Sequence, residues 1–368
     1  MTSNPMFACL RPDIQAMQAY QVVHSSPHQI KLDAMENPYR LPLDLQEALG
    51  QRLGALALNR YPDGRINDLR HALATYAQMP EGFDVMLGNG SDELISLLAL
   101  ACAVQPHAAN GFKKRCVLSP VPGFVMYAIS AQLQGLDFVG VPLTNDFELD
   151  QAAMLAAIAH HQPAITYLAY PNNPTANLWD DAAINAVVVA VAAHGGWVVI
   201  DEAYVPFASK SYIDRLALHR HVLLLRTLSK FGLAGARLGY LLGDQALIAQ
   251  LNKVRPPYNV SVLNCEATLF ALEHRAVFEA QAIEITSQRA MVLASLSRLP
   301  QVHPFPSQAN MILVRMPDAN RTFDSLVRCG VLVKNVSKMH PLLANCLRLT
   351  VGTASENTLM LAALEASL

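Results

Sequence analysis

Arg226-Thr-Leu-Ser-Lys-Phe-Gly-Leu-Ala-Gly-Ala-Arg-Leu-Gly-Tyr240 sets one lysine, Lys230, among hydroxyls, glycines and arginines. The run that opens it, Val222-Leu-Leu-Leu-Arg-Thr227, reads as a buried strand giving way to polar residues. Upstream, Gly195-Gly-Trp-Val-Val-Ile-Asp-Glu-Ala-Tyr204 reads as a turn and then a short strand of branched and aromatic residues ending on an acid, Asp201. In an open α/β sheet, ligand groups gather beyond the carboxyl ends of the strands. Asp201 and Lys230 can therefore reach one crevice although far apart in the chain.

The same pattern extends outward. Strands are expected at 115–118, 138–141, 165–169, 198–201 and 222–226. Between them lie helix candidates at 91–103, 123–133, 151–160 and 182–194. Strands alternating with helices argue for an α/β fold, a mainly parallel central sheet covered by helices on both faces. Pro256-Pro257 is the clearest internal break. Beyond it, 262–299 reads as a long helix or helix pair, strands are expected at 310–315, 331–335 and 347–351, and 355–368 reads as a helix. The resulting division is an N-terminal arm (1–41), a large domain (42–257) and a smaller α+β C-terminal domain (258–368).

A chain of 368 residues is long for one core, in keeping with that division. Its 52% hydrophobic and 15% charged content are far from the disordered range. A net charge of -2 gives no reason to expect nucleic acid as a partner. The six cysteines form no CxxC pair, which points to neither a zinc ribbon nor a disulfide framework, and a reducing cytoplasm is the simplest setting. The amino terminus lacks a basic start with a sustained apolar run, and the longest apolar stretches are too short for a bilayer. Mean hydropathy is nevertheless +0.23, an excess that a buried subunit interface or a large core would absorb. The histidines show no HExxH spacing, so no metal is expected.

Lys230 and Asp201 together suit one chemistry. A lysine amine forms a Schiff base with a carbonyl, and pyridoxal phosphate extends that imine into an electron-accepting ring. The ring is a better sink while its nitrogen stays protonated, which a buried carboxylate favours by charge pairing. Taken as an isolated pair, a solvated loop lysine and a helix-capping aspartate are the commoner reading. Their surroundings shift it.

Gly88-Asn-Gly-Ser-Asp-Glu93 precedes an apolar helix, with Ser91 read as its N-terminal cap. It begins like GxGxxG but carries Glu93 in place of the third glycine, so a dinucleotide is poorly supported. A helix start offers free N–H groups to a phosphate, and Thr227, Ser229 and Arg237 would complete a cup for a monophosphate. Pro171-Asn-Asn-Pro-Thr175 follows a strand as a rigid turn. From it Asn173 could donate to a phenolic oxygen, with Tyr204 as a second donor. Phe124 is either a core aromatic or a ring stacked on the cofactor.

At these residues the chain resembles the pyridoxal-phosphate aminotransferases of fold type I, and more narrowly the histidinol-phosphate aminotransferases. The resemblance rests on Leu32–Pro38, Arg60-Tyr-Pro-Asp-Gly64, Gly88–Ile95, Pro122–Tyr127, Pro171–Thr175, Val199–Phe207, Arg226–Tyr240 and Leu347-Arg-Leu-Thr-Val-Gly-Thr353, and so covers nearly the whole chain. It implies Lys230 as the Schiff-base lysine and proton-transfer base, Asp201 at the pyridine nitrogen, Asn173 and Tyr204 at the phenolic oxygen, and Phe124 against the ring. It implies Ser91, Asp92, Thr227, Ser229 and Arg237 around the cofactor phosphate. Tyr61 would reach that phosphate from the neighbouring subunit of a homodimer. Tyr20, Asn37, Lys334 and Arg348 fall where the family binds substrate. The activity implied is transamination between L-histidinol phosphate and 2-oxoglutarate, giving imidazole-acetol phosphate and glutamate.

The chain departs from the pattern in four places. Ala176 replaces a usual glycine, which requires that position to tolerate a Cβ. The stretch after Lys230 is one residue shorter on the way to Arg237. Phe124 stands where tyrosine is common, and Lys334 replaces an arginine, giving a point charge instead of a fork. An aromatic amino acid aminotransferase, a decarboxylase of a phosphorylated amino acid and, more distantly, a non-catalytic cofactor-binding regulator share most of these residues.

Overall fold

The computed structural model describes residues 10–19, 26, 29–62, 64–103 and 115–368. The N-terminal part carries a short helix α1 (Pro12–Ala16), a two-residue strand β1 (Ile30–Lys31), and helices α2 (Leu43–Gly54) and α3 (Arg65–Ala77). Strands β2 (Phe83–Gly88), β3 (Cys116–Val121), β4 (Asp137–Pro142), β5 (Ile165–Ala169), β6 (Trp197–Asp201), β7 (Val222–Thr227) and β8 (Gly239–Asp244) follow. They form one sheet in the order β2-β8-β7-β6-β5-β3-β4. Every β3–β4, β3–β5, β5–β6 and β6–β7 pairing is parallel, and β8 alone runs against its neighbours β2 and β7. The helices between these strands are α4 (Ser91–Cys102), α5 (Met126–Leu133), α6 (Gln151–His161), α7 (Asp181–Ala192), α8 (Ile213–Leu216) and α9 (Gln245–Leu251).

Burial on both faces explains why β5, β6 and β7 read as continuous apolar runs. Side chains alternate along each strand, so Val199, Leu223, Leu225 and Leu241 meet α4, α5 and α9 on one face. On the other, Val198, Ile200, Leu224 and Leu242 join the core formed with α3, α6 and α7. Strands β2 and β8 were not among those expected. Each has a glycine at one end, and that glycine obscures a short strand in sequence.

Past Pro256-Pro257 the expected long helix is a pair, α10 (Val262–Glu273) and α11 (Arg275–Leu296), broken at His274 (φ -104, ψ 26). The remaining elements are β9 (His303–Pro304), β10 (Met311–Arg315), α12 (Ala319–Arg328), β11 (Val331–Leu332), β12 (Lys334–Asn335), β13 (Cys346–Thr350) and α13 (Ala354–Glu365). A four-stranded sheet in the order β12-β13-β10-β9 carries a separate apolar cluster with α11, α12 and α13. The single strand expected at 331–335 is divided: Val331 and Leu332 pair in parallel with Ile30 and Lys31, whereas Lys334 and Asn335 turn to β13. Among the described residues no helix is long and apolar enough to cross a membrane.

Candidate active site

Registry brings the carboxyl ends of the strands level. Ala169 pairs with Asp201, and Asp201 with Leu225, two residues before Thr227 closes β7. Thr227 in turn faces Gly239, which also pairs with Gly88 at the end of β2. A cavity of about 430 Å³ opens above this row, walled in part by Ser91, Asp92, Phe124, Asn173, Asp201, Tyr204, Thr227, Ser229, Lys230 and Arg237. Ten of the candidate residues thus meet in one place.

Lys230 leaves β7 on a wide helical turn, residues Ser229–Leu233, in which the Leu233 amide donates to the Leu228 carbonyl (3.0 Å). Gly232 permits the turn. Its φ is +139°, and a Cβ there would lie 2.7 Å from the Phe278 ring. The Lys230 Nζ donates to the Ala34 carbonyl (3.0 Å) and stands 5.9 Å from the centre of the Tyr204 ring. Burial, and next the nearby Arg348 guanidinium, bring its ammonium down to about 8. The neutral amine is therefore close at hand near neutral pH.

Asp201 is buried at the end of β6, 5% exposed. Its Oδ1 accepts from the Ala203 amide (3.0 Å) and its Oδ2 from the Tyr127 hydroxyl (2.7 Å). Burial pushes the carboxyl up to about 6, while those two hydrogen bonds favour the charged form. Phe124 meets the edge of Tyr127, with ring centres 5.5 Å apart, and forms a wall of the cavity. Asn173 Oδ1 accepts from Arg348 Nη1 (2.8 Å), and Arg348 Nη2 donates to the Asp33 carbonyl (2.7 Å), so β13 is tied to the cavity's rim.

The opposite end is a cradle of backbone. Helix α4 starts at Ser91, but its cap is Gly90, without a side-chain cap bond, which corrects the reading of Ser91 as the cap. Gly90 has φ +85°, open to glycine, and so Ser91 becomes the first helical residue with its amide in the exposed first turn. A Cβ on Gly239 would lie 2.5 Å from the Ser91 nitrogen, so only glycine lets β8 pass so close to this helix start. Thr227 Oγ1 donates to Ser229 Oγ (3.0 Å), and Arg237 Nη2 lies 3.5 Å from Asp92 Oδ2. Despite the shorter spacing from Lys230, Arg237 reaches the cavity, in a left-handed backbone conformation (φ 48°). Ala176 likewise adopts a left-handed φ of 63° and is fully buried, so this position does hold a Cβ in a backbone conformation that favours glycine.

Other candidates sit elsewhere. Tyr20 lies outside the described residues. Asn37 is not on the cavity wall: its Nδ2 donates to the Phe231 carbonyl (3.2 Å) and to Gln281 Oε1 (2.9 Å), bracing the residue after the lysine from behind. Lys334 is not on the cavity wall but lies directly opposite Arg348 in the β12–β13 pairing, on the same face of that sheet. Tyr61 projects outward, 77% exposed, and stacks on Tyr258 at 4.7 Å.

Three contributors were missed. Tyr127 belongs to a quoted motif, but nothing local shows that its hydroxyl meets an acid on another strand. The carbonyls of Asp33 and Ala34 are backbone groups that no residue type advertises. Arg226 and Glu202, adjacent to Thr227 and Asp201, form a buried ion pair (2.8 Å) that Ser211 Oγ joins at 2.9 Å from Glu202 Oε1. An arginine and a glutamate at neighbouring strand ends were the available signal.

The family profile for aminotransferase class I and II matches residues 27–364. A histidinol-phosphate aminotransferase of Polaromonas naphthalenivorans is 69% identical over 359 residues, covering 98% of this chain and 96% of that protein. One from Methylibium petroleiphilum is 65% identical, covering 97% and 94%. The solved histidinol-phosphate aminotransferase of Sinorhizobium meliloti, in complex with pyridoxal-5'-phosphate, superposes with a TM-score of 0.81 at 23% identity and 98% coverage of both chains. L-threonine-O-3-phosphate decarboxylase of Porphyromonas gingivalis shares the fold, with a TM-score of 0.75 at 20% identity over 92% of this chain and 98% of that one.

Proposed function

Because the chain belongs to the class I and II aminotransferases, and among them to the histidinol-phosphate aminotransferases, we propose that it exchanges the amino group of L-histidinol phosphate for the oxo group of 2-oxoglutarate. The products are imidazole-acetol phosphate and glutamate, a step of histidine biosynthesis, and we place it in the cytoplasm. One observation carries this reading. A single cavity holds a buried amine of lowered proton affinity, a buried carboxylate and a glycine-lined cradle.

That donor set fits pyridoxal 5'-phosphate, the cofactor of this family. The α4 start, Thr227, Ser229 and Arg237 suit a phosphate, and a Cβ at Gly239 would fill the approach. Asp201 suits a protonated ring nitrogen, Lys230 an aldehyde carbon, and Asn173 and Tyr204 a phenolic oxygen. Phe124 supplies an aromatic face. When bound, the cofactor accepts into its ring the electron pair released at the substrate's reacting carbon. The protein's own part is proton traffic and positioning. Lys230, whose neutral form is accessible, takes the proton from the reacting carbon and returns it at the neighbouring position. Asp201 keeps a proton on the ring nitrogen by charge pairing. Arg348 holds the carboxylate of glutamate or 2-oxoglutarate and stands near the phosphate of the other substrate, with Lys334 paired beside it.

The working unit is a homodimer in which Tyr61 completes its neighbour's phosphate site. The exposed Tyr61–Tyr258 stack supports this, since paired aromatics left in water are what an interface covers. Residues 42–257 form the large domain, 258–368 the small one, and 1–41 an arm laid on the small domain and the partner. The parallel pairing of β1 with β11 is in keeping with that arm.

The test is a single-turnover panel. Protein loaded with pyridoxal 5'-phosphate is mixed separately with histidinol phosphate, tyrosine, phenylalanine and threonine phosphate, and its visible absorption is followed. Histidinol phosphate should convert the band fastest, and Lys230→Ala should lose at least about 100-fold in turnover together with the wild-type band. A band unmoved by histidinol phosphate but converted by tyrosine or threonine phosphate would replace the substrate assignment.

A further inference from the structure

The carboxylate that faces the cofactor's ring has a partner of its own. Tyr127, at the second position of α5, is 1% exposed and donates to Asp201 Oδ2 at 2.7 Å. Its ring lies flat on that of Tyr167, with centres 4.2 Å apart and planes 6° from parallel. Phe124, three residues earlier, presses on it edge-on and faces the cavity. One short segment therefore delivers both a cavity wall and a donor to the acid.

We propose that Tyr127 is a positioning residue for the reaction, its hydroxyl fixing the Asp201 carboxylate in one rotamer and holding the negative charge on it. The inference rests on the functional reading above, which puts a ring nitrogen against Asp201. A merely structural role would make Tyr127 one more core tyrosine whose hydroxyl found a partner by chance. The neighbouring Tyr167 argues against that. It is buried equally deeply, and among the described residues its hydroxyl has no hydrogen-bond partner, so this core does not require such hydroxyls to be paired. The bond from Tyr127 goes instead to an acid on another strand, 74 positions away.

Its charge environment gives Asp201 need of such a donor. Burial disfavours its charge most, and Asp92 on α4 and Glu202, just past the end of β6, add to it. Tyr204, whose ionisation burial disfavours, is coupled electrostatically to both Arg348 and Asp201. Against these, among the described residues, stand the hydrogen bonds from the Ala203 amide and the Tyr127 hydroxyl. A hydrogen bond to a charged acceptor is about twice as strong as one between neutral groups, so losing it would let the proton settle on Asp201.

The experiment uses enzyme loaded with pyridoxal 5'-phosphate in three forms: wild type, Tyr127→Phe and Tyr167→Phe. Each substitution removes one oxygen and keeps the stacked rings. The pH titration of the visible band is recorded, together with thermal melting and the affinity for pyridoxal 5'-phosphate. A less firmly charged Asp201 leaves the ring less positive, and a less positive ring makes the neighbouring Lys230 nitrogen easier to protonate. The Tyr127→Phe midpoint should therefore move upward by roughly half a pH unit or more, with cofactor affinity several-fold weaker. Tyr167→Phe should titrate as wild type. Equal midpoints for Tyr127→Phe and wild type, or equal shifts in both variants, would overturn the inference. Absence of a visible band in the wild type would overturn the functional reading itself.

Discussion

Replacing Asp201 by asparagine should make the cofactor-free protein more stable while disabling it. The folded carboxyl sits at about 6, against an ordinary 3.8, because burial penalises its charge. That difference of roughly two pH units corresponds to about 3 kcal/mol. Its sign follows from proton occupancy. Below 3.8 both folded and unfolded chains hold the proton, and burial of the group carries no charge penalty. Between 3.8 and about 6 the folded chain keeps a proton the unfolded one has released, so stability falls as pH rises. Above that window the penalty is complete. Asparagine has no charge to desolvate and its oxygen can still accept from Tyr127, although its amide hydrogens return part of the gain. For a chain of this length 1 kcal/mol corresponds to about 1.3 °C in melting temperature, so Asp201→Asn should melt roughly 2–4 °C above wild type at pH 8. The advantage should vanish near pH 4. With pyridoxal 5'-phosphate added, the same variant should lose at least about 100-fold in turnover. Calorimetry of the cofactor-free proteins from pH 4 to 8 measures the first effect. A lower melting temperature at pH 8, or a difference that ignores pH, would refute the reasoning.

Lys230 makes a kinetic prediction. Its amine, brought down to about 8, must be neutral to attack an aldehyde, so capture of pyridoxal 5'-phosphate by the cofactor-free protein should quicken as pH rises to about 8 and then level off. Stopped-flow absorbance would show it, and a rate still climbing steeply at pH 10 would contradict the lowered value. The Arg226–Glu202 pair, with side chains 7% and 0% exposed, makes a thermodynamic one. Glu202→Gln strands a buried guanidinium and should cost about 3–5 kcal/mol, or about 4–6 °C in melting temperature. The double variant Glu202→Met with Arg226→Met should recover much of that loss; equal losses would show that packing rather than stranded charge is responsible.

What could be read in the sequence was whatever chemistry and periodicity wrote locally. Strands β5, β6 and β7 are continuous apolar runs because both their faces are covered, and each delivers, at its end or a few residues past it, a side chain that reaches the cavity. Lys230, Asp201 and Asn173 were legible for that reason. The cap on α4 was misread because a glycine with positive φ can do a serine's work, and the sequence does not record φ. β8 was overlooked because it enters on a glycine and runs against its neighbours. Tyr127 and Asn37 were missed or misplaced for a tertiary reason. Their partners, Asp201 for one and Gln281 for the other, lie far along the chain, and only the packed fold decides which way a side chain turns.

The pairing of Thr227 with Gly239 has an evolutionary consequence. Because β8 returns beside β7, the segment carrying the lysine leaves and rejoins the sheet at facing backbone positions, like a handle riveted at both ends. Losing a residue from such a handle does not shift the strands. Within it, Gly232 (φ +139°) and the left-handed Arg237 (φ 48°) are the positions whose backbone already departs from helix and strand. Closing a slightly shorter loop changes its entropy by only a small fraction of a kcal/mol. A chain with one residue more or fewer between Lys230 and Arg237 should therefore keep the same strand pairing, and related chains should vary in length here more freely than in the strands on either side.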